Sequence, residues 1–182
     1  MARTLSCPQS TVNARWKSKS DAGRDRSEID SGQRRSDRVL RRPTMLIHRQ
    51  EIRIEWGDCD PFGIVFFPRY FEYFDACTNE LFHRALGMKK AAMLKHFQIA
   101  GIPLVQASCN FFVPSSFGDV VQVESCVTNW GTSSFTVQHR LFRGETLAVE
   151  GIEKRVWTVR PAAEPSSAKG QAIPKEVIEK FS

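Results

Sequence analysis

Two carboxylates, Asp58 and Asp60, stand two residues apart in the run Trp56-Gly57-Asp58-Cys59-Asp60-Pro61-Phe62-Gly63, just ahead of an aromatic-rich segment that reads as a helix starting near Pro68. A helix N-terminus carries unpaired backbone N–H groups and a partial positive charge. A carboxylate beside it can attack a carbonyl, or activate water against one, while the helix end stabilises the oxyanion that develops. That pairing is the skeleton of an acyl-transfer site. Asp before a helix also has a structural use, because its side chain satisfies first-turn N–H groups. The capping use suits Asp58, and the catalytic one suits Asp60.

The elements that must position these residues follow from periodicity. Ile52, Ile54 and Trp56 alternate with Glu51, Arg53 and Glu55, the period of a half-buried strand. After the loop, Pro68 suits the first helical turn, and Phe71, Phe74, Cys77 or Thr78, Leu81, Phe82 and Ala85 recur at three- and four-residue steps until Gly87. Glu72, Asp75, Asn79 and His83 form a polar row on another face of this helix. A shorter helical piece is predicted from Lys89 to Phe97. Four strand-like runs follow, Ile102 to Val113, Val120 to Trp130, Ser134 to Phe142 and Thr146 to Val159, separated by turn-rich segments short enough for antiparallel neighbours. Pro174 to Phe181 reads as a terminal helix. A strand, a long helix and a four-strand meander make an α+β plan in which one antiparallel sheet packs around one helix. A single helix covers only part of a sheet face, so a homo-oligomer is expected.

Composition narrows the function classes. The chain has 182 residues, 41% of them hydrophobic, enough for one sizeable core and with no run approaching a membrane span, so a soluble protein without a membrane partner is expected. Its net charge of +6 is unevenly placed: residues 1–49 carry 12 Lys/Arg against 5 Asp/Glu, and the remainder is close to neutral. Nucleic-acid binding is therefore not expected of the folded part. Residues 1–44 are polar, Arg- and Ser-rich, and read as a disordered basic leader, with residues 45–182 as the folded domain. The acidic residues of the leader argue against a transit peptide, and Met45, beside the compositional break at Pro43, is a candidate true start. Five scattered cysteines without C-x-x-C spacing fit reduced thiols in the cytoplasm, and four histidines without metal-ligand spacing predict no structural metal. There is no G-x-S-x-G elbow for a serine hydrolase, no phosphate loop and no dinucleotide fingerprint, so no cofactor is expected. Cys59 lies inside the loop but has no histidine near it in sequence to generate a thiolate, and is read as a packing residue.

The run Gly57-Asp58-Cys59-Asp60-Pro61-Phe62-Gly63-Ile64-Val65, followed by Phe67-Pro68-Arg69-Tyr70, resembles the 4-hydroxybenzoyl-CoA thioesterase family of hot-dog-fold proteins. Asp75, Gly101-Ile102-Pro103, Ser108-Cys109-Asn110-Phe111 and Trp130 to Phe135 extend the resemblance from about Gln50 to the C-terminus; the leader lies outside it. The resemblance implies a long central helix wrapped by a five-stranded antiparallel sheet, dimers formed by joining sheets, and frequently tetramers. It implies that Asp60 is the catalytic carboxylate, as nucleophile or general base, that Phe67 offers a backbone N–H to the thioester oxygen, and that Gly63 admits the acyl carbon close to the backbone. By the same resemblance Asp75 accepts a hydrogen bond from a ring hydroxyl of an aromatic acyl group.

One departure concerns the coenzyme A end of the substrate. Gly131-Thr132-Ser133 occupies a turn where relatives can carry a basic cluster for the coenzyme A phosphates, leaving Thr132 and Ser133 as the candidate contacts there. Arg140, Arg143, Lys154 and Arg155 are alternative cations, each also readable as ordinary strand or turn charges. The expected function is hydrolysis of an aromatic acyl-CoA such as 4-hydroxybenzoyl-CoA. The alternatives are a thioesterase for short or medium aliphatic acyl-CoA and a non-catalytic acyl-CoA-binding module.

Overall fold

The computed structural model describes residues 45–163 and 167–182; the leader expected over residues 1–44 lies outside the described residues. Five antiparallel strands form the main sheet: β1 (His48–Arg53), β2 (Leu104–Phe111), β3 (Val120–Trp130), β4 (Ser134–Arg143) and β5 (Thr146–Val156). A small pair, β6 (Thr158–Val159) and β7 (Lys169–Gly170), extends the C-terminal end. The helices are α1 (Pro68–Leu86), α2 (Lys90–His96) and α3 (Lys175–Glu179). No helix among the described residues is long and apolar enough to cross a membrane.

The long helix and strand runs fall close to their expected places, and the architecture is the expected α+β hot-dog plan. The strand order is not a simple meander. It runs β1-β3-β4-β5-β2, so β2 pairs with β5 at the far edge instead of with its sequence neighbour β3. The free side of β3 is taken by β1, with Ile52 opposite Val121. The connection from β2 to β3 must therefore cross between the two edges of the sheet. It does so over the Asp60 loop, bound there by Val65 N–H to Ser115 O at 2.9 Å and Ile54 N–H to Asp119 O at 2.9 Å. Trp56, expected on the inward side of the first strand, is instead 75% exposed, because the strand ends at Arg53 and a 3-10 turn takes over.

The core divides into two apolar clusters beneath α1. One gathers Phe74, Val121, Val123, Leu141 and Val149 around the start of the helix; the other gathers Leu81, Phe82, Phe135, Val137 and Trp157 around its end, closed by Val177 and Phe181 of the C-terminal segment. Along α1 the buried residues are Tyr70, Phe74, Cys77, Thr78, Leu81 and Phe82. This is the predicted stripe shifted at its start, with Tyr70 inside and Phe71 only half-buried.

Helix and sheet are in close contact at Phe74, whose ring stacks on His139 at 4.6 Å with an interplanar angle of 8°. Gly151 is paired opposite His139 on the next strand. A Cβ at Gly151 would lie 2.4 Å from the Phe74 ring, so only glycine admits the ring at this depth. Gly151→Ala is expected to lower the unfolding free energy by roughly 1–3 kcal/mol through overpacking, measured by urea denaturation. A variant as stable as the parent would contradict this packing.

Candidate active site

The loop between β1 and α1 is built almost entirely by its own hydrogen bonds. Glu55 N–H donates to Asp58 Oδ2 at 2.9 Å in a capping box around the 3-10 turn Trp56–Asp58. Asp58 is thus a cap, at this short turn instead of at α1. Its carbonyl accepts Phe66 N–H at 2.8 Å, drawing the far side of the loop back toward the 3-10 turn. Within the loop, Asp60 N–H donates to Ile64 O and Gly63 N–H to Asp60 O, both at 2.8 Å. Phe62 N–H donates to Asp60 Oδ1 at 2.9 Å, which fixes the carboxylate through one oxygen and leaves Oδ2 for other work. Gly63 has φ of 79°, a conformation a side chain would strain, and open space where a Cβ would stand.

Helix α1 then begins with an unused donor. Pro68 at the first helical position has no N–H, Arg69 N–H donates to Phe66 O at 2.9 Å and Tyr70 N–H to Phe67 O at 3.2 Å. Among the described residues, the Phe67 N–H donates to no backbone or side-chain acceptor. It points from the positive end of a 19-residue helix dipole. The loop and the helix start supply the two components, carboxylate and donor, that acyl transfer requires.

The structure does not gather the expected residues into one cavity of a single chain. Asp60 and Gly63 line a cavity of ≈ 370 Å³ with Trp56, Cys59 and Phe117, the last two rings of that wall meeting edge-on at 5.9 Å between Trp56 and Phe117. Phe67 lines a second, apolar cavity of ≈ 340 Å³ with Ile64, Tyr70 and the Phe111–Pro114 end of β2 and its following loop. Asp75 lines a third, of ≈ 430 Å³, with Ile102, Leu104, Leu94 and Arg155. Strand β2 runs between the last two, with Leu104 in one wall and Phe111 in the other. Among the described residues its outer edge has no strand partner, and Leu104, Val105, Phe111 and Phe112 are exposed.

Thr132 and Ser133 line none of these three cavities. Their carbonyls accept Ile173 N–H and Trp157 N–H at 2.9 and 2.8 Å, so the turn anchors the C-terminal segment. Of the alternative cations, Arg143 is held by Asp119 at 3.1 Å and Pro114 O, and Arg140 lies over the Phe142 ring at 5.0 Å. Arg155 is not a surface charge at all, with its side chain 3% exposed. The described cysteines are unpaired, and burial pushes the Cys77 thiol up to about 12, which leaves it unreactive. Among the described residues no group of three or more His, Cys, Asp or Glu is placed to hold a metal ion.

Arg155 belongs to a buried polar chain that sequence reasoning passed over. Ser125 Oγ lies 2.8 Å from His139 Nδ1, and His139 Nε2 lies 3.3 Å from Glu153 Oε2. Thr78 Oγ1 and Arg155 Nε each donate to the same Glu153 oxygen at 2.9 Å, and Arg155 Nη2 donates to Asp75 Oδ1 at 2.6 Å. The signal was available in the strand parity. Glu153 and Arg155 stand at even steps from Val149 and Trp157, and His139 from Val137 and Leu141, all core-facing positions. A neutral His139 that accepts from Ser125 and donates to Glu153 Oε2 satisfies both ring nitrogens, while Glu153 Oε1 is buried without a hydrogen-bond partner among the described residues.

Residues 54–181 match the model of the thioesterase-like superfamily, and the chain belongs to that family. Within it, the chain is 35% identical over 91 residues to a 4-hydroxybenzoyl-CoA thioesterase of Pseudomonas sp. strain CBS-3, a match covering 50% of this chain and 64% of that relative, less than two thirds of its length. The solved structure of the Pseudomonas enzyme superposes with a TM-score of 0.67 at 27% identity, covering 74% of this chain and 98% of that one. A gentisyl-coenzyme A thioesterase superposes with a TM-score of 0.64 at 26% identity, covering 74% and 100%. The hot-dog fold is therefore that of this chain.

The buried chain makes stability depend on pH. Burial holds His139 neutral below its ordinary 6.5, outweighing the pull of Glu153 toward the charged form. Burial alone would raise the Glu153 carboxyl, but hydrogen bonds from His139 and Arg155 bring it down to about 2 from 4.5. In both cases the unfolded chain takes up a proton that the folded one refuses, so acid favours unfolding. Thermal stability is expected to decline as pH falls below 6.5 and more steeply below 4.5, read by calorimetry across that range. A melting temperature constant from about pH 7 to about pH 5 would contradict a neutral buried His139.

Proposed function

We propose that this protein hydrolyses an aromatic acyl-coenzyme A, of which 4-hydroxybenzoyl-CoA is the representative substrate, to the free acid and coenzyme A. The loop–helix junction supports the reading: a carboxylate with one oxygen tied down and the other available, followed by a helix-start N–H at Phe67 that has no acceptor among the described residues. Asp60 is the catalytic carboxylate. As nucleophile it forms a mixed anhydride and expels the coenzyme A thiolate, and water then cleaves the anhydride; as general base it takes the proton of an attacking water. Both routes give the same products. The Phe67 N–H receives the thioester oxygen as negative charge builds on it, a contribution of about 3–4 kcal/mol for such donors. Gly63 keeps the approach to the loop free of a side chain, Asp75 accepts the ring hydroxyl, and Thr132 and Ser133 offer uncharged polar contacts to the coenzyme A.

The reading includes a homodimer, or a tetramer assembled from dimers. A long apolar edge strand left unpaired is an aggregation hazard unless something covers it. A second copy added along β2 covers Leu104, Val105, Phe111 and Phe112 and closes the two cavities that share this strand. The acyl pocket is then completed between subunits.

Asp60→Asn is expected to reduce thiol release from 4-hydroxybenzoyl-CoA about 10²–10⁴-fold with an unchanged circular dichroism spectrum. Near-parental turnover in that variant would end the role given to Asp60. For the assembly, Val105→Lys places a charge on the β2 edge and is expected to shift sedimentation toward monomer and to lower kcat/KM with it. A fully active monomer would remove the shared pocket from the reading.

A further inference from the structure

Three of the groups packed between α1 and the sheet are ionisable, and the chain they form has one outlet. His139 and Glu153 are 0% and 1% exposed and the Arg155 side chain 3%, yet Asp75, joined to Arg155, is 51% exposed and lines the ≈ 430 Å³ cavity. A buried ion pair is often no more stabilising than apolar residues of the same volume, so stability alone does not account for this one. A pair that served packing only would end inside the core. This one continues to a carboxylate in a cavity wall.

Each nitrogen of the guanidinium fork has a partner. Nε donates to Glu153 Oε2 at 2.9 Å, Nη1 to Ile102 O at 3.3 Å and Nη2 to Asp75 Oδ1 at 2.6 Å. Glu153 is pinned in turn by Thr78 and His139, and His139 by Ser125 and the stacked Phe74 ring. Arg155 therefore has no second place to go. The other Asp75 oxygen, Oδ2, takes Asn79 Nδ2 at 3.1 Å, so both oxygens are tethered on the protein side. A carboxylate offers about four acceptor sites, which leaves capacity for a donor arriving from the cavity.

We propose that Arg155 is a positioning residue: through Glu153 and the side chains behind it, it fixes the Asp75 carboxylate as an oriented acceptor, and so sets the preference of this cavity for acyl groups bearing a ring hydroxyl. The proposal rests on the role given to Asp75 above. A hydroxyl donor pairs with an acceptor already held in place, whereas an acyl group lacking it leaves that acceptor unpaired. Lys cannot reproduce the fork, because an ammonium is a point donor without the planar geometry that spans three acceptors at once.

The test compares 4-hydroxybenzoyl-CoA with benzoyl-CoA in a thiol-release assay, taking kcat and KM separately. Arg155→Lys is expected to lose on the order of tenfold or more in the ratio of kcat/KM for the two esters, mostly through KM for the hydroxylated one. Asp75→Asn is expected to lose the same preference, and the double variant no more than Asp75→Asn alone. Because Arg155→Lys leaves Glu153 poorly paired and can unfold the protein, the pair Glu153→Gln with Arg155→Gln, which retains hydrogen bonding without the buried charges, is measured alongside and is expected to show the same loss. Equal losses on both esters would make Arg155 structural and overturn the proposal. Loss of preference in Asp75→Asn but not in the Arg155 variants would overturn it while leaving the role of Asp75 intact. Absence of any preference in the parent protein, unaltered by Asp75→Asn, would remove the role of Asp75 and the proposal with it.

Discussion

Arg155 and Glu153 meet at 2.9 Å in the layer between the long helix and the sheet, where an unpartnered charge would be intolerable. The packing around them is organised to keep them partnered. Thr78 interrupts the apolar stripe of α1 with a hydroxyl aimed at Glu153, and from the sheet His139, itself held by Ser125 on the neighbouring strand, reaches the same carboxylate. The polar seam lies between the apolar cluster at the start of α1 and the one at its end. The helix is thus fixed along its length by directional contacts at its middle and by non-directional packing on either side. Apolar packing alone tolerates small slides, and the fork of an arginine does not.

This registration matters because the proposed chemistry is divided along one helix. The N-terminal end offers a main-chain donor at Phe67, beside a loop whose shape depends on backbone hydrogen bonds, on the missing N–H of Pro68 and on the positive φ of Gly63. Two turns later Asp75 presents a side chain. On that proposal the oxyanion is held by backbone geometry, beside the Asp60 carboxylate, and the acyl group is selected by side-chain chemistry. If the proposed roles hold, substitutions around Asp75 alter what is accepted without disturbing how an oxyanion would be held.

Much of this was legible in the sequence, for reasons specific to each element. The helix bounds were readable because Pro68 and Gly87 carry strong local signals, and the strands of the β3–β5 meander because Val, Thr and aromatic residues alternate between short turns. A capping use of Asp58 was readable from its residue type, but it was expected ahead of the long helix, whereas Asp58 closes the 3-10 turn Trp56–Asp58. The place of β2 was not, since strand order depends on which edge is free once β1 has paired with β3, a nonlocal choice that loop length does not encode. Arg155 was mistaken for a candidate surface cation because charged residues are nearly always exposed; its parity with Gly151 and Trp157 indicated otherwise. That Phe67 and Asp75 open onto different cavities follows from the β2 strand that runs between them, a nonlocal placement that periodicity within one chain does not reveal.

The contact between Phe74 and Gly151 bears on how such a chain can change over generations. With no clearance between ring and backbone, the two positions are coupled in time as well as in space. A smaller residue at 74 opens room that a methyl group at 151 can then occupy, whereas the opposite order passes through a clash. The accessible histories are therefore asymmetric: the aromatic must yield first. Since the same ring also lies against His139, yielding it loosens the partner that steadies Glu153, and drift at a position remote from the loop would be felt first as altered substrate preference.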